Sequence, residues 1–263
     1  MTAVATVPGL DPATILGALE AGEVRAALPD PGAPDGWRVV PEVRAAILAR
    51  FRDRAAAEWV VGPLRFRDRA SIPLHTLADG DVRIVPGGTS VRGGVRIEPG
   101  VVIMPPSFVN VGAWLGAGTM VDSLVLVGSC AQVGERVHLS AGAILGGVLE
   151  PAGARPVIVE DDAFVGAGAT LLEGVLVGRG AVIGAGVVLT GTSRLYDLEH
   201  GVVIQGTPDR PLVVPPYAVV VPGTRPAGGP FAAAHGLALA AAMIVKRRDA
   251  RTDARTALEA ALR

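Results

Sequence analysis

The feature that most constrains the fold is a six-residue repeat of aliphatic side chains. Every sixth residue from Val91 to Leu145 is aliphatic, and the same spacing resumes from Val159 to Leu189. A period of six fits neither a helix, which repeats every 3.6 residues, nor a strand, which alternates every two. Short hexapeptide periods are typical of a parallel β-helix, in which stacked coils share one core. The sixteen hexads predict roughly five triangular coils of three hexads each.

Composition agrees with this architecture and excludes several classes of protein. Aromatic residues make up only 4% of the chain although 50% is hydrophobic, as a narrow aliphatic interior requires. A net charge of −1 argues against a general nucleic-acid binder. One cysteine, Cys130, rules out an internal disulfide framework and indicates a reducing compartment. The first residues carry neither a basic leader nor a long apolar run, so we expect a cytoplasmic protein without a membrane anchor.

The chain divides into three predicted parts. Residues 1–81 read as a small, mostly helical domain, with helices over about 12–27 and from Pro41 onward, where proline stands at a favoured first helical position. Residues 82–195 form the β-helix, with a projecting loop at 146–158 that contains prolines and glycines. Residues 196–263 form a short, irregular α/β extension, in which 242–245 fits a helix or a strand and 253–262 a terminal helix.

The β-helix sequence also resembles a known enzyme family. The motifs GTMVD (118–122), GSCAQVG (128–134), VHLS (137–140) and GGVLEP (146–151), together with TSRLYD (192–197) and AMIVKRRD (242–249), closely resemble the tetrahydrodipicolinate N-succinyltransferases of bacterial lysine and diaminopimelate biosynthesis. The resemblance implies a left-handed parallel β-helix and a homotrimer with active sites between subunits. It implies succinyl transfer from succinyl-CoA, as co-substrate, to the amino group of L-2-amino-6-oxopimelate, with no bound metal.

The resemblance also implies roles for particular residues. Asp122, in the GTMVD motif, is the catalytic and substrate-binding candidate, because an activated thioester mainly requires a positioned amine and a proton acceptor. The alternative is an aspartate that caps a turn. Arg83 matches a residue that pairs with a substrate carboxylate, for which arginine offers bidentate geometry. Ser107 and Asn110 are weaker substrate-binding candidates, and Glu150 either shapes the site or fixes its loop.

The sequence departs from the better-known family members at one important place. They carry an Arg-Ser-Glu run whose glutamate has been considered catalytic, whereas the aligned residue here is Thr170. A threonine cannot act as a carboxylate base, so Asp122 alone, Glu173 or a water must accept the proton. His138 stays open as a further acid or base. The departure leaves two alternatives to succinyl transfer: acetyl transfer by a related N-acetyltransferase, or a trimeric scaffold without catalysis.

Three other features of the sequence have more than one interpretation. Cys130 is either a nucleophile or, with no adjacent His–Asp pair in the sequence, a structural thiol. The basic run Lys246, Arg247 and Arg248 either contacts the CoA phosphates or is a solvated cluster. No metal site is expected, because His75, His200 and His235 are scattered and only His138 lies in the repeat.

Overall fold

The N-terminal part combines two helices with two β-hairpins. In the computed structural model, which describes residues 10–77, 81–151, 153–249 and 251–253, it contains Ile15–Glu20 (α1), Ala27–Pro29 (β1), Trp37–Val39 (β2), Pro41–Arg52 (α2), Ala56–Val61 (β3) and Leu64–Arg69 (β4). Helix α2 begins at Pro41, as predicted. Helix α1 is shorter than the predicted 12–27, and the hairpins β1–β2 and β3–β4 give this part more strand than a mostly helical domain would have.

The middle of the chain is a solenoid of two-residue strands. They are Arg83–Ile84 (β5), Ser90–Val91 (β6), Arg96–Ile97 (β7), Val102–Ile103 (β8), Phe108–Val109 (β9), Trp114–Leu115 (β10), Met120–Val121 (β11), Leu126–Val127 (β12), Gln132–Val133 (β13), His138–Leu139 (β14), Ile144–Leu145 (β15), Ile158–Val159 (β16), Phe164–Val165 (β17), Thr170–Leu171 (β18), Leu176–Val177 (β19), Val182–Ile183 (β20) and Val188–Leu189 (β21). From β6 to β21, the second residue of every strand is the aliphatic residue of the six-residue repeat.

Each strand pairs in parallel with the strand three positions along the chain, which produces three faces. Face 1 contains β5, β8, β11, β14, β17 and β20; face 2 contains β6, β9, β12, β15, β18 and β21; face 3 contains β7, β10, β13, β16 and β19. The hexad residues point inward and form one continuous core from Val91 to Leu189 and beyond. The flanking residues point outward, because side chains alternate along a strand.

The C-terminal part continues this architecture. It contains Arg194–Asp197 (β22), Val202–Gln205 (β23), Val213–Val214 (β24), Ala218–Pro226 (β25), Pro230–Ala234 (α3) and Ala238–Arg247 (β26). Strand β24 adds to face 3 and the start of β25 to face 1, so the solenoid takes in residues beyond 195. The ambiguous run at 242–245 is strand, since β26 lies between β22 and β25. The predicted helix 253–262 lies almost wholly outside the described residues.

The loop at 146–158 ties the three parts together through Arg155. The guanidinium is buried, forms an ion pair with Asp35 of the N-terminal part, and donates from Nε to the carbonyl of Gly174 at 2.6 Å. It also donates from Nη2 to the carbonyls of Pro211 and Leu212 at 2.7 and 3.1 Å. The loop that was predicted to project therefore carries, at Arg155, an internal anchor.

Helix α2 packs against the corner between faces 2 and 3. Ile47 joins a core cluster with Val111 and Cys130 of that corner. The buried Arg44 lies beside the Cys130 thiol and donates from Nη1 to the Pro151 carbonyl at 3.3 Å. None of the helices in the described part of the chain is long and apolar enough to cross a membrane.

Candidate active site

Asp122 lies at the corner between faces 1 and 2, directly after β11. It is half-buried, and its Oδ1 accepts the Ser123 amide at 2.7 Å. Its own amide donates to the Leu139 carbonyl of the next coil at 2.9 Å. The backbone is thus fixed by the stack, and only one carboxylate oxygen has a hydrogen bond among the described residues. Asp122 thus supports its turn through one carboxylate oxygen, and its catalytic role stays a prediction.

Arg83 lies on the same face as Asp122. It stands opposite Val102, which stands opposite Met120, two residues before Asp122. Arg83 and Asp122 are separated by two inter-strand spacings and by two residues along the strand direction, so their Cα atoms are about 12 Å apart. An arginine and an aspartate at this separation can hold the two ends of a small molecule that carries both a carboxylate and an amine.

Ser107 is buried at the same corner, and its hydroxyl is already committed. Its Oγ donates to the Asp122 carbonyl at 2.8 Å and accepts the Val125 amide at 3.2 Å. Thr119, which also precedes a hexad residue by two positions, bonds the next coil in the same way. Ser107 therefore holds the turn that carries Asp122, and the structure places it behind Asp122 and not in the groove.

The other candidates from the resemblance lie elsewhere on the solenoid. Asn110 follows β9 on face 2, and its Oδ1 accepts the Val111 amide at 2.9 Å. Thr170 is on the outer side of face 2, between Ile144 and Val188. Because threonine stands here in place of the glutamate of the better-known family members, the outward side chains on the described strands of face 2 include no carboxylate.

Glu150 and Glu173 belong to the corner between faces 2 and 3. Glu150 is exposed in the loop whose neighbour Leu149 packs on the N-terminal cluster. Glu173 is exposed, and its Oε2 accepts the Gly191 amide at 3.2 Å. Within one chain the structure does not bring either glutamate to the corner of Asp122.

His138 lies on face 1 in the column of Arg83. It stands between Met120 and Phe164, and its ring centroid is 4.9 Å from that of Phe164. Asp122 directly follows the adjacent strand β11, two residues after Met120, so His138 and Asp122 are diagonal neighbours. His138 stays a candidate acid or base on the same face of the solenoid.

Cys130 is in a structural environment. It has no exposed surface, and burial raises the pKa of its thiol to about 11 despite the adjacent Arg44 guanidinium. A protonated thiol in a closed core is a poor nucleophile. The structure therefore agrees with the interpretation of Cys130 as a structural thiol.

Each cation of the basic run near the C-terminus forms an ion pair with a carboxylate. Lys246 pairs with Asp249 at 2.7 Å, Arg247 with Asp197 at 2.8 Å, and Arg248 with Asp253. Arg247, more than any other group, holds the pKa of the buried Asp197 carboxyl well below its usual range. These pairs neutralise the run within one chain, and its contact with the CoA phosphates stays a prediction.

One group of side chains has the composition of a metal site. Asp197, Glu199 and His200 place ligand atoms within 4.8 Å of one another. The Asp197 Oδ2 already accepts Arg247 and contacts His200 Nδ1 at 3.0 Å, and Arg247 Nη2 is 3.1 Å from that same nitrogen. A guanidinium fills the position of a cation, so the donor set does not fit a metal ion.

A track of glycines leads away from Asp122 along its corner. Gly142, Gly168 and Gly186 each have positive φ, between 66° and 71°. A Cβ at Gly168 or Gly186 would meet no atom within 4 Å, so the left-handed turn, and not crowding, requires glycine there. The absence of side chains leaves an open path over three coils, about 14 Å long. The sequence signal for this track is the glycine three residues after each of the hexad residues Leu139, Val165 and Ile183.

The fold and this corner define a hexapeptide-repeat acyltransferase. A family model described as the hexapeptide repeat of succinyl-transferase matches residues 156–191. The chain is 42% identical over 260 residues to a 2,3,4,5-tetrahydropyridine-2,6-dicarboxylate N-succinyltransferase of Bradyrhizobium diazoefficiens, covering 95% of this chain and 88% of that one. A protein of the same name from Dechloromonas aromatica is 39% identical over 256 residues, covering 95% and 88%. The chain belongs to the 2,3,4,5-tetrahydropyridine-2,6-dicarboxylate N-succinyltransferase family.

A solved structure agrees with this fold. It comes from Campylobacter jejuni and is described as a candidate 2,3,4,5-tetrahydropyridine-2-carboxylate N-succinyltransferase. It is 19% identical, covers 88% of this chain and 63% of its own, and superposes with a TM-score of 0.54. At this identity the similarity concerns the fold alone.

Proposed function

We propose that this protein transfers the succinyl group of succinyl-CoA to the amino group of L-2-amino-6-oxopimelate, the open form of tetrahydrodipicolinate. The observation that carries the proposal is 42% identity over 95% of the chain to a curated enzyme of that name. The placement of Arg83 and Asp122 on one face of the solenoid supports it, because the substrate carries two carboxylates and one amine.

In the proposed mechanism, Arg83 pairs with a substrate carboxylate and Asp122 holds the amine. The amine nitrogen attacks the thioester carbonyl carbon, forming the N–C bond, and the C–S bond breaks. Asp122 accepts the amine proton, and the CoA thiolate leaves and takes a proton from solvent. Because the thioester is already activated, positioning and proton removal are the main tasks of the protein. Thr170 cannot share the second task, so Asp122 is the proton acceptor that this proposal tests, with Glu173, His138 or a water as the alternatives.

We further propose a homotrimer of left-handed coils with each site between two subunits. Leu124, at the Asp122 corner, and Val188, three coils further along face 2, are 65% and 59% exposed. Exposed apolar side chains on a rigid face favour burial against another protein surface. A second subunit packed there would close the glycine track into a channel. Asn110 and Thr170, on face 2, would then face Asp122 of a neighbouring copy.

The test is a thiol-release assay with tetrahydrodipicolinate and either succinyl-CoA or acetyl-CoA. We expect turnover with succinyl-CoA and a kcat at least about a hundredfold lower for Asp122→Asn. The amide oxygen of this variant can still accept the Ser123 amide, so the turn is kept. Asp209→Asn, an exposed aspartate outside the groove, is the matched control and should keep wild-type activity.

Two results would contradict the proposal. A clear preference for acetyl-CoA would assign the protein to acetyl transfer. No thiol release with either donor, from a folded trimer, would support the scaffold alternative.

A further inference from the structure

A cavity with a volume of about 470 Å³ lies between the β1–β2 hairpin and face 3 of the solenoid. Asp122 stands at the corner where faces 1 and 2 meet, so face 3 is the side of the triangular solenoid opposite to it. The cavity is therefore separate from the candidate active site, and its volume is within the range of small-molecule sites.

Part of the wall of this cavity is apolar. Two of the three tryptophans of the chain line it, Trp114 on β10 and Trp37 on β2, and both indoles are half-buried. The other uncharged lining residues are one proline, one alanine and three glycines. Flat aromatic surfaces beside such small residues suit an aliphatic side chain.

The four carboxylates that line the cavity differ in whether they have a cationic partner. Glu160 has no cation within ion-pair distance among the described residues; its Oε1 accepts Trp37 Nε1 at 2.9 Å and its Oε2 accepts the Arg179 amide at 2.8 Å. The other three carboxylates form ion pairs at 3.0, 2.7 and 2.6 Å: Glu98 with Arg96, Glu135 with Arg136, and Asp161 with Arg179.

Arg25 is the positive counterpart of Glu160 in the cavity wall. Neutral groups orient it, because Nε donates to Gln132 Oε1 at 3.0 Å and Cζ lies 3.9 Å from the ring centroid of Trp114. Within the described part of the chain, its two Nη groups have neither a hydrogen bond nor an ion pair. Burial lowers the pKa of Arg25 to about 10, although nearby carboxylates oppose this effect, so the guanidinium is charged at neutral pH.

Arg25 and Glu160 lie near each other without pairing. Gln132, which binds Arg25, stands opposite Ile158, and Glu160 follows Ile158 by two residues. One inter-strand spacing and two residues along the strand direction put the Cα atoms of Gln132 and Glu160 about 8 Å apart. One cation and one anion, each held by neutral groups, therefore line the same cavity. A small molecule with a carboxylate and an ammonium group can bridge them.

We infer that this cavity binds an α-amino acid with an apolar side chain. The carboxylate of the ligand accepts hydrogen bonds from the Nη groups of Arg25, and its ammonium group donates to Glu160. The apolar side chain packs against the indoles of Trp37 and Trp114. Because the walls come from the hairpin and from face 3, the ligand also joins the N-terminal part to the solenoid. The inference does not depend on the proposed function.

The test is calorimetric titration of the wild-type protein with three probes that share one carbon skeleton. They are L-leucine, isoamylamine, which lacks the carboxylate, and 4-methylpentanoate, which lacks the amine. We expect L-leucine to bind at least about tenfold more tightly than either analogue, because each analogue leaves Arg25 or Glu160 without a partner. The inference would be overturned if L-leucine did not bind, or if either analogue bound as tightly as L-leucine. Neither result bears on succinyl transfer.

Charge variants test the two assigned contacts. Arg25→Gln and Glu160→Gln should each weaken the binding of L-leucine about tenfold. Glu160→Gln keeps an oxygen that can accept the Trp37 indole, so this wall of the cavity is retained. Arg38→Gln removes an exposed cation of the same hairpin outside the cavity, and this control should bind L-leucine like the wild type. Unchanged affinity in both cavity variants would show that the amino acid binds elsewhere.

Tryptophan fluorescence locates the ligand without changing a charge. L-Leucine should alter the emission of the wild type and of Trp59→Phe, because Trp59 is on β3 and does not line the cavity. It should not alter the emission of the double variant Trp37→Phe/Trp114→Phe. A response that persists in the double variant would come from Trp59 and would contradict the assigned site.

Discussion

Replacing Arg155 by leucine should destabilise the protein more than most single changes. Arg155 is 6% exposed and makes an ion pair with Asp35 and hydrogen bonds to three backbone carbonyls. Removing one partner of a buried ion pair costs about 3–5 kcal/mol, because the other charge remains without compensation. The Asp35 side chain is 26% exposed, so water recovers part of this cost. We therefore expect a loss of about 3 kcal/mol in the free energy of unfolding.

The assay is thermal unfolding at fixed protein concentration, followed by circular dichroism. In a chain of this size, about 3 kcal/mol corresponds to a fall in Tm of roughly 6–12 °C. Arg38→Leu is the matched control. Arg38 pairs with Asp30 at 3.6 Å in the β1–β2 hairpin, which also carries Asp35, and both side chains of this pair are more than one-third exposed. An exposed pair of this kind is worth less than about 1 kcal/mol.

A double variant tests the cause of the loss. If the unpaired Asp35 charge dominates, Asp35→Leu should cost little more when it is added to Arg155→Leu. The reasoning would be refuted if the Tm of Arg155→Leu lay within about 2–3 °C of the Tm of Arg38→Leu. Arg155 would then be an accessory contact and not an anchor of three chain segments.

Two further predictions concern the solenoid. Cys130 should resist alkylation at pH 8 in the native protein and react at once after unfolding. Its pKa is raised from 9.0 to about 11 in the folded protein. The contribution of the buried thiol to stability is therefore complete below pH 9 and is lost as the pH rises through 11, which melting curves from pH 8 to 11 would show. Alkylation of the native protein at the rate of a free thiol would contradict this. Gly134→Ala places a Cβ 2.5 Å from the Asp161 amide and should cost about 1–3 kcal/mol in denaturant unfolding, whereas Gly153→Ala meets no atom within 4 Å and should cost almost nothing.

The repeat was predictable because its physical cause is local in sequence. Each hexad residue occupies an equivalent inward position, so the spacing alone identifies the strand and its buried side chain. The hairpin β3–β4 was harder to recognise, because its side chains are mostly exposed and lack alternation between buried and exposed positions. Strand β26 could not be separated from a helix by propensity, since its partners β22 and β25 decide its conformation.

The site was only partly accessible from sequence. Asp122 and Arg83 were assigned by motif, and their common face follows from counting strands in threes. Ser107 could have been recognised as structural, because it stands two residues before a hexad position, as Thr119 does. The role of Arg155 depends on segments far apart in the chain, and no local pattern reports those contacts.

The position of β26 has a consequence for the colloidal behaviour of the protein. A stack of parallel coils ends in strands whose unpaired amides and carbonyls can recruit further chains, as growing fibres do. On face 1, β25 covers the last coil and β26 runs antiparallel to β25 along its outer side. The antiparallel strand breaks the repeat, so another solenoid cannot continue the stack in register there. The C-terminal strand therefore also acts as a terminator that keeps a self-templating architecture finite.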